Sequence, residues 1–425
     1  MTGSGLGILN DCDIKKIINR RTGENNSSIT SWCLEPIPDG GGFMGSYYQL
    51  RITINSHGTP VSFIFFAKTP PPPGPQRDFS LRHGIFNKEI VMYNEIVPQI
   101  GIGSGAKWSP ECYYCIPDVI IVMENLIPEG YSTLDKYVPF GYEELACLFD
   151  TFARFHSRSL IQDENLRQQG KNLYDNWGEI LNEGLVCDNE SSILLQKAAL
   201  DGCHALVDLV DELGDEEKKL LKKKITIWSW NLVKALKPSK KYRNIICHRD
   251  VWSANFMFKV DDNNGKLIDC RLIDFQFYSY IYPGMDLMLA MYMNSSREIR
   301  DNYFNSLIEL YYDRLKCCLK IDANLNIDKI LPLNLFLESC EVARPNAMIY
   351  ALNNLQITLS NKDVSEKYFA KSPELLKHVL YGAGRNEYVC PQFLNIPQYK
   401  KRITENIIEL YECLPDKLFD EYSDI

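Results

Sequence analysis

The sequence predicts an α+β chain of two lobes. One is a small N-terminal lobe built on an antiparallel β-sheet with one helix; the other is a large, mainly helical C-terminal lobe. Two changes of texture and the composition predict it. Residues 30–68 are rich in β-branched and aromatic residues, whereas from Tyr142 onward apolar residues recur at helical spacing. With 425 residues, 45% apolar and 24% charged, the chain has the composition of an ordinary globular protein with material for two or three domains. The texture changes near residue 125, so the expected lobes are 1–125 and 126–425.

Taken in order, Asp39–Ser46 (DGGGFMGS) is a glycine-rich turn between extended segments. Tyr47–Ile54 alternates toward its end, and Val61–Ala67 is a nearly continuous β-prone run, so both are strands. Thr69–Pro75 (TPPPPGP) can continue neither strand nor helix and is expected as an exposed, extended connector. Phe86–Val97 reads as one amphipathic helix stopped by Pro98, and Val119–Asn125 as a buried strand. In the larger lobe, Leu145, Leu148, Phe149, Phe152 and Phe155 mark a helix. Asp215–Leu236, 285–315 and 400–414 are the other helical stretches.

Charge and hydropathy exclude several function classes. A net charge of −9 leaves no basic field for a nucleic-acid partner. The cleanest apolar run, Val119–Met123, is far shorter than the roughly 20 residues a membrane span needs. The first 16 residues have no apolar core of a signal peptide. A cytoplasmic chain with no membrane association and no obligate protein partner is expected. The 14 cysteines are scattered. Cys112-x-x-Cys115 lacks the second pair that a zinc site requires, and reads as two thiols on a strand or connector. Cys317-Cys318 falls in a helical stretch and reads as packing.

The chemistry concentrates in Cys247-His248-Arg249-Asp250-Val251-Trp252-Ser253-Ala254-Asn255, followed 24 residues after Asp250 by Leu272-Ile273-Asp274-Phe275-Gln276. This is H-x-D-x-x-x-x-N between apolar segments, then an Asp at the end of another apolar strand. Phosphoryl transfer needs those parts: a carboxylate to orient the attacking hydroxyl, and an amide oxygen with a second carboxylate to hold Mg²⁺. Asp250 is the candidate for the first role, Asn255 and Asp274 for the second. Upstream, Lys68 leaves an apolar strand that follows the glycine turn. Glu89 stands 21 residues later on the next helix, as an acidic partner for its ammonium. A solvated strand end and an exposed helix face are the alternatives for these two. The order of the parts is that of a kinase-type nucleotide site.

Val122–Leu126, Leu148–His156, His248–Asn255, Ile273–Gln276 and Tyr282–Leu287 together resemble the ecdysteroid-kinase-like family, related to choline kinases and aminoglycoside phosphotransferases. The resemblance runs from about residue 35 to 400. It implies a bilobal protein-kinase-like fold, ATP and Mg²⁺ as cofactors, and a small-molecule alcohol as acceptor. It implies Asp250 as catalytic base, Asn255 and Asp274 as metal ligands, and Lys68 with Glu89 positioning the phosphates. Gly40, Gly41, Gly42, Gly45 and Ser46 would cover the phosphates, and the backbone at Met123, Glu124 and Leu126 would receive the adenine. Asp286 resembles the aspartate that braces the catalytic loop; His248 either orients that loop or packs against it. Two departures stand out: Arg249 where the family usually has Gly, and a glycine turn without the Asn seen in relatives.

A protein kinase would place a long peptide-docking segment after the D-F-G motif. Here Asp274-Phe275-Gln276 is followed within ten residues by Pro283-Gly284-Met285-Asp286, and Trp252 stands where protein kinases commonly have Lys. A compact acceptor fits better. No acidic cluster appears between 280 and 390, which favours a neutral acceptor, an ecdysteroid or similar hydroxylated compound, over choline or an aminoglycoside. Phe277–Tyr280, Met291–Met293 and Tyr311-Tyr312 are either lining for such a ligand or core. The competing function is a nucleotide- or steroid-binding relative without catalysis, against which all five chemical positions carry competent residues.

Overall fold

The computed structural model describes residues 2–4, 7–24, 28–37, 44–370 and 372–419. The chain divides into two compact units, Met1–Gln99 with Ser109–Ser132, and Ile100–Trp108 with Thr133–Ile425.

The first unit is a sheet of six strands among the described residues, in the order β1-β2-β3-β4-β6-β5. The strands are β1 (Thr2–Ser4), β2 (Ser28–Pro36), β3 (Ser46–Ser56), β4 (Thr59–Thr69), β5 (Cys112–Ile116) and β6 (Ile120–Glu124). All pairs are antiparallel except the edge pair β1–β2. The β3–β4 hairpin closes on His57-Gly58, whose φ angles of 51° and 87° give the left-handed pair a two-residue hairpin requires. Asn55 Oδ1 accepts the Gly58 N–H at 2.8 Å. Strict alternation puts Phe65, Ala67, Ile120 and Val122 on one face, where Ile14, Ile17 and Ile18 of helix α1 (Asp11–Thr22) complete a core.

Helix α1 adds to the single helix expected of this lobe. Asn10 and Asp13 form a capping box at its start and Gly23 ends it with φ 73°. The connector expected at Thr69–Pro75 is only partly one. Thr69, Pro70 and Pro71 are buried, Pro72 and Pro73 are exposed, and Pro75 opens helix α2 (Pro75–Arg82) as its first residue. The expected helix 86–97 runs as α3 (Ile85–Val91), a π-turn (Met92–Ile96) and α4 (Val97–Ile100). Pro98 does not stop it, because the wider turn has already broken the regular ladder that a proline would disrupt; Val97 N–H bonds back to Met92 O.

The second unit is mainly helical, and its small strands carry the chemistry. Chain order runs from the two-residue strand β7 (Tyr131–Ser132, assigned to the first unit) to α5 (Tyr142–Arg167), α6 (Leu173–Trp177), α7 (Glu190–Asp208) and α8 (Asp215–Ala235). Strands β8 (Ile245–Cys247), β9 (Phe256–Val260), β10 (Leu267–Leu272) and β11 (Ser279–Ile281) follow, with β9 paired to β10 and β8 to β11, both antiparallel. Then come α9 (Gly284–Asn294), α10 (Arg297–Ala323), α11 (Ile327–Ile330), α12 (Leu333–Thr358), α13 (Lys362–Ser365), α14 (Pro373–Tyr381), α15 (Arg385–Asn395) and α16 (Pro397–Cys413). Helix α9 is buried along its whole length. The helical stretch expected at 285–315 is two helices, because Ser296 caps α10 through the Ile299 N–H.

Segment Ile100–Trp108 belongs to this unit for identifiable reasons. The buried Arg154 donates to Ala106 O and Lys107 O, each at 2.7 Å, and to Asp269 at 3.0 Å. Trp108 O accepts the Leu272 N–H at 2.8 Å, and its ring packs on Phe155 and Phe275. Of the aromatic clusters left open by sequence, Tyr278, Tyr280, Met291–Met293 and Tyr311-Tyr312 are buried core while Phe277 is half-buried, and Tyr311 bonds His156 Nδ1 at 2.8 Å. Cys318 is half-buried but Cys317 is exposed, so the pair is not packing on both sides. No helix among the described residues is long and apolar enough to cross a membrane.

Candidate active site

In the first unit, Lys68 and Glu89 form a buried ion pair. Lys68 Nζ donates to Glu89 Oε2 at 2.7 Å, with side chains 3% and 1% exposed. The strand places the lysine: Lys68 pairs with Tyr47 on one side and Ile121 on the other, opposite in direction to its core neighbour Ala67. Gly45 lies against it. A Cβ at Gly45 would stand 3.1 Å from Lys68 Cε and 3.3 Å from Thr69 O, so a glycine is what lets the turn approach the lysine stem. Ser46 begins β3 opposite Thr69. Gly40, Gly41 and Gly42 lie outside the described residues. Of the hinge positions, Met123 pairs with Phe66, Glu124 donates its N–H to Glu111 O at 2.8 Å, and Leu126 O accepts the N–H of Glu129 and Tyr131.

In the second unit, β8 ends at Cys247 and the chain turns through 248–252 into a short 3-10 turn, Ser253–Asn255, before β9. Asn255 Nδ2 donates to Asp250 O at 2.9 Å and to Asp250 Oδ2 at 2.8 Å. The main chain of Ile273 donates to Asn255 O at 3.0 Å, which brings Asp274 beside Asn255. The sequence thus assembles Asp250, Asn255 and Asp274 in one place. Asp250 and Asp274 are half-buried and Asn255 is buried.

The loop is held from behind by Asp286, fully buried on the first turn of α9. Its Oδ1 accepts the Arg249 N–H at 2.9 Å, and its Oδ2 accepts the His248 N–H at 2.5 Å and His156 Nε2–H at 3.3 Å. Burial opposes ionisation of this carboxyl. The hydrogen bond and charge from His156, with His248 and Arg249, nonetheless hold its pKa below the ordinary aspartate value. Asn294, at the far end of α9, donates to Val251 O at 2.7 Å. His156, Cys247 and Asp286 lie close enough together to suggest a metal cluster, but these contacts occupy the carboxylate in bracing the loop.

His248 both orients and packs. Nε2 donates to Ile273 O at 2.9 Å, which fixes the tautomer, and its ring lies 4.6 Å from that of Phe275. Burial holds the imidazole pKa below its ordinary value. Arg249 and Asp274 have φ of 71° and 65°, a left-handed conformation costly for residues with a Cβ. Backbone strain therefore sits at the residue before Asp250 and at Asp274 itself. Arg249 is buried and pairs with Glu183, Nη2 to Oε2 at 3.2 Å, while its guanidinium lies 5.2 Å from the Tyr350 ring. Sequence reasoning missed Glu183 and Tyr350. No local signal marks either, since both partners are brought in by tertiary packing.

The donor set suits a hard divalent cation. The Asn255 amide turns its nitrogen onto Asp250, which points its oxygen away from those contacts, and the Asp274 carboxylate stands two residues past the end of β10. Amide and carboxylate oxygens are the ligands Mg²⁺ prefers.

No curated protein matches the chain in sequence. Among solved structures, the GDP and kanamycin complex of APH(2″)-IIia is 13% identical, covering 88% of this chain and 97% of that one, with a TM-score of 0.35. The GDP complex of a mutant aminoglycoside 2′-phosphotransferase IIIa is 14% identical, covering 90% and 99%, with a TM-score of 0.36. The Helicobacter pylori proinflammatory kinase CtkA is 13% identical over 92% and 97%, with a TM-score of 0.20. The family match, rather than these loose superpositions, decides the assignment. Residues 39–322 match the ecdysteroid kinase-like family, a span that holds Lys68, Glu89, Asp250, Asn255, Asp274 and Asp286, and the chain belongs to that family of small-molecule kinases.

Proposed function

We propose that this kinase transfers the γ-phosphoryl of ATP to a hydroxyl of a neutral small molecule, an ecdysteroid or similarly hydroxylated compound. The observation that carries the reading is the Asp250–Asn255 pair, braced by Asp286 and placed beside Asp274. Asp250 is oriented by Asn255 and is half-buried, a setting in which a carboxylate can accept and orient the proton of the attacking hydroxyl. Asn255 and Asp274 would hold Mg²⁺, which when bound neutralises charge on the phosphates. Lys68, kept in place by Glu89, is the cation assigned to the phosphates, with Gly45 against its stem and Ser46 opposite Thr69. The backbone at Met123, Glu124 and Leu126 is assigned to the adenine.

Neutrality of the acceptor is supported by sequence and by charge. No acidic cluster occurs between 280 and 390, and the cation nearest Asp250 in sequence, Arg249, is already paired with Glu183. The net charge of −9 and the reduced thiols fit work in the cytoplasm, where ATP is abundant. The test is phosphate transfer from ATP and from GTP, with and without Mg²⁺. The acceptor panel holds 20-hydroxyecdysone, other ecdysteroids, plant glycosides, choline, an aminoglycoside and a generic protein. Transfer confined to neutral alcohols supports the proposal; transfer to choline or the aminoglycoside overturns the acceptor class.

A further inference from the structure

We propose that Glu183 is a positioning residue for Asp250, acting through Arg249; the inference rests on Asp250 being the group that orients the acceptor. Arg249 immediately precedes Asp250, and its guanidinium is enclosed by protein with 0% side-chain exposure. A cation in such a place needs a counter-charge, and Glu183 provides it at 3.2 Å with a side chain only 7% exposed. The second carboxylate oxygen of Glu183 accepts the Leu185 N–H at 2.9 Å, so the acid itself is anchored. The face of Tyr350, from α12, covers the guanidinium at 5.2 Å. Arg249 Nε and Nη1 have no hydrogen-bond acceptor among the described residues, so the ion pair and the ring are what hold the side chain.

These contacts complete a clamp. From one side, Asp286 holds the N–H groups of residues 248 and 249, Asn294 holds Val251 O, and Asn255 holds Asp250 O. From the other, the Arg249 side chain ties the same turn to the 182–185 segment and to α12. The left-handed φ of 71° connects the two: it is the conformation in which residue 249 sends its side chain inward while the next residue stays half-exposed. Glycine adopts that φ without cost, so an arginine kept there by a buried pair is strain held for a purpose. Without the Glu183 charge, Arg249 is buried unpaired, the turn relaxes, and Asp250 shifts from the geometry that transfer requires.

The test compares Glu183→Gln, Glu183→Asp, Arg249→Gly and the double variant Glu183→Gln/Arg249→Gly with wild type. Measurements are melting temperature, steady-state kinetics with 20-hydroxyecdysone and ATP, and hydrogen exchange of the 247–256 peptide. The double variant leaves no orphaned charge and places glycine where φ suits it, so its melting temperature should return close to wild type. Its kcat should stay down by about 10²-fold with the KM for ATP within about twofold, the signature of a misplaced reacting group. Amides of 247–256 should exchange at least about tenfold faster despite the restored stability. Glu183→Asp, which keeps the charge, should recover part of the kcat lost in Glu183→Gln. A double variant with wild-type kcat, or with wild-type exchange in 247–256, overturns the proposal and leaves the pair a packing feature. Should wild type transfer phosphate to no acceptor, the kinase reading fails on its own, and exchange still decides whether Glu183 holds the loop.

Discussion

Asn255 Nδ2 stands 2.8 Å from Asp250 Oδ2 and 2.9 Å from Asp250 O, so one amide fixes both the side chain and the main chain of the candidate base. Asn255→Asp keeps the shape but sets two carboxylates against each other, which lifts the pKa of the pair and withdraws the donor. Activity should fall by about 10²–10³-fold and the pH–rate profile should shift to higher pH on its acid limb. Steady-state kinetics between pH 6 and 9 would check both.

Lys68 and Glu89 make the corresponding pair in the first unit. Glu89→Ala leaves a buried ammonium without its counter-charge and should cost about 3–5 kcal/mol of that unit's stability. Lys68→Met combined with Glu89→Leu removes both charges and should restore most of the melting temperature, while ATP affinity stays lost. Calorimetry and nucleotide titration on the same samples separate the two effects.

Gly45 has no left-handed φ to defend, only proximity to the Lys68 stem. Gly45→Ala pushes Lys68 by a few tenths of an ångström through the 3.1 Å contact. The KM for ATP should rise about three- to tenfold, with kcat and melting temperature nearly unchanged. A fall in stability without a change in KM would mean that the turn is not placed against the phosphates.

The histidines set the direction of the pH dependence. Burial holds both His248 and His204 below the ordinary value of 6.5, so the unfolded chain binds more protons than the folded one as pH drops past that point. Stability therefore rises with pH in this window and is lost progressively below about 6.5. Asp286, with its folded pKa depressed, extends the loss once pH falls below about 3.8. Melting temperature measured from pH 8 to 4 should decline monotonically below neutrality. A rise on acidification would contradict these assignments.

The strands of the first unit and the chemistry of the second were legible because they depend on local pattern. The runs 47–54 and 61–67 lie within β3 and β4, and H-x-D-x-x-x-x-N with its later Asp marks a loop whose geometry the motif itself requires. Helix α1 is equally local, with Asn10, Asp13 and Gly23 as its cap signals, and lies outside the single helix expected of this lobe. Pro98 misled because a π-turn, set by packing, removed the ladder the proline would have broken. Glu183 and Tyr350 were beyond reach in principle: they stand 66 residues before and about a hundred after Arg249, and only the fold brings them to it.

The central claim is that Asp250 orients an acceptor hydroxyl for transfer from Mg²⁺-ATP. Phosphate transfer to 20-hydroxyecdysone and the neutral acceptor panel, by wild type and by Asp250→Asn, tests it most directly. The account predicts transfer by wild type and a loss of at least about 10³-fold in kcat for the variant, with ATP binding retained. Wild-type and variant rates within a few-fold of each other, or Mg²⁺-ATP binding with no transfer to any alcohol, would contradict it.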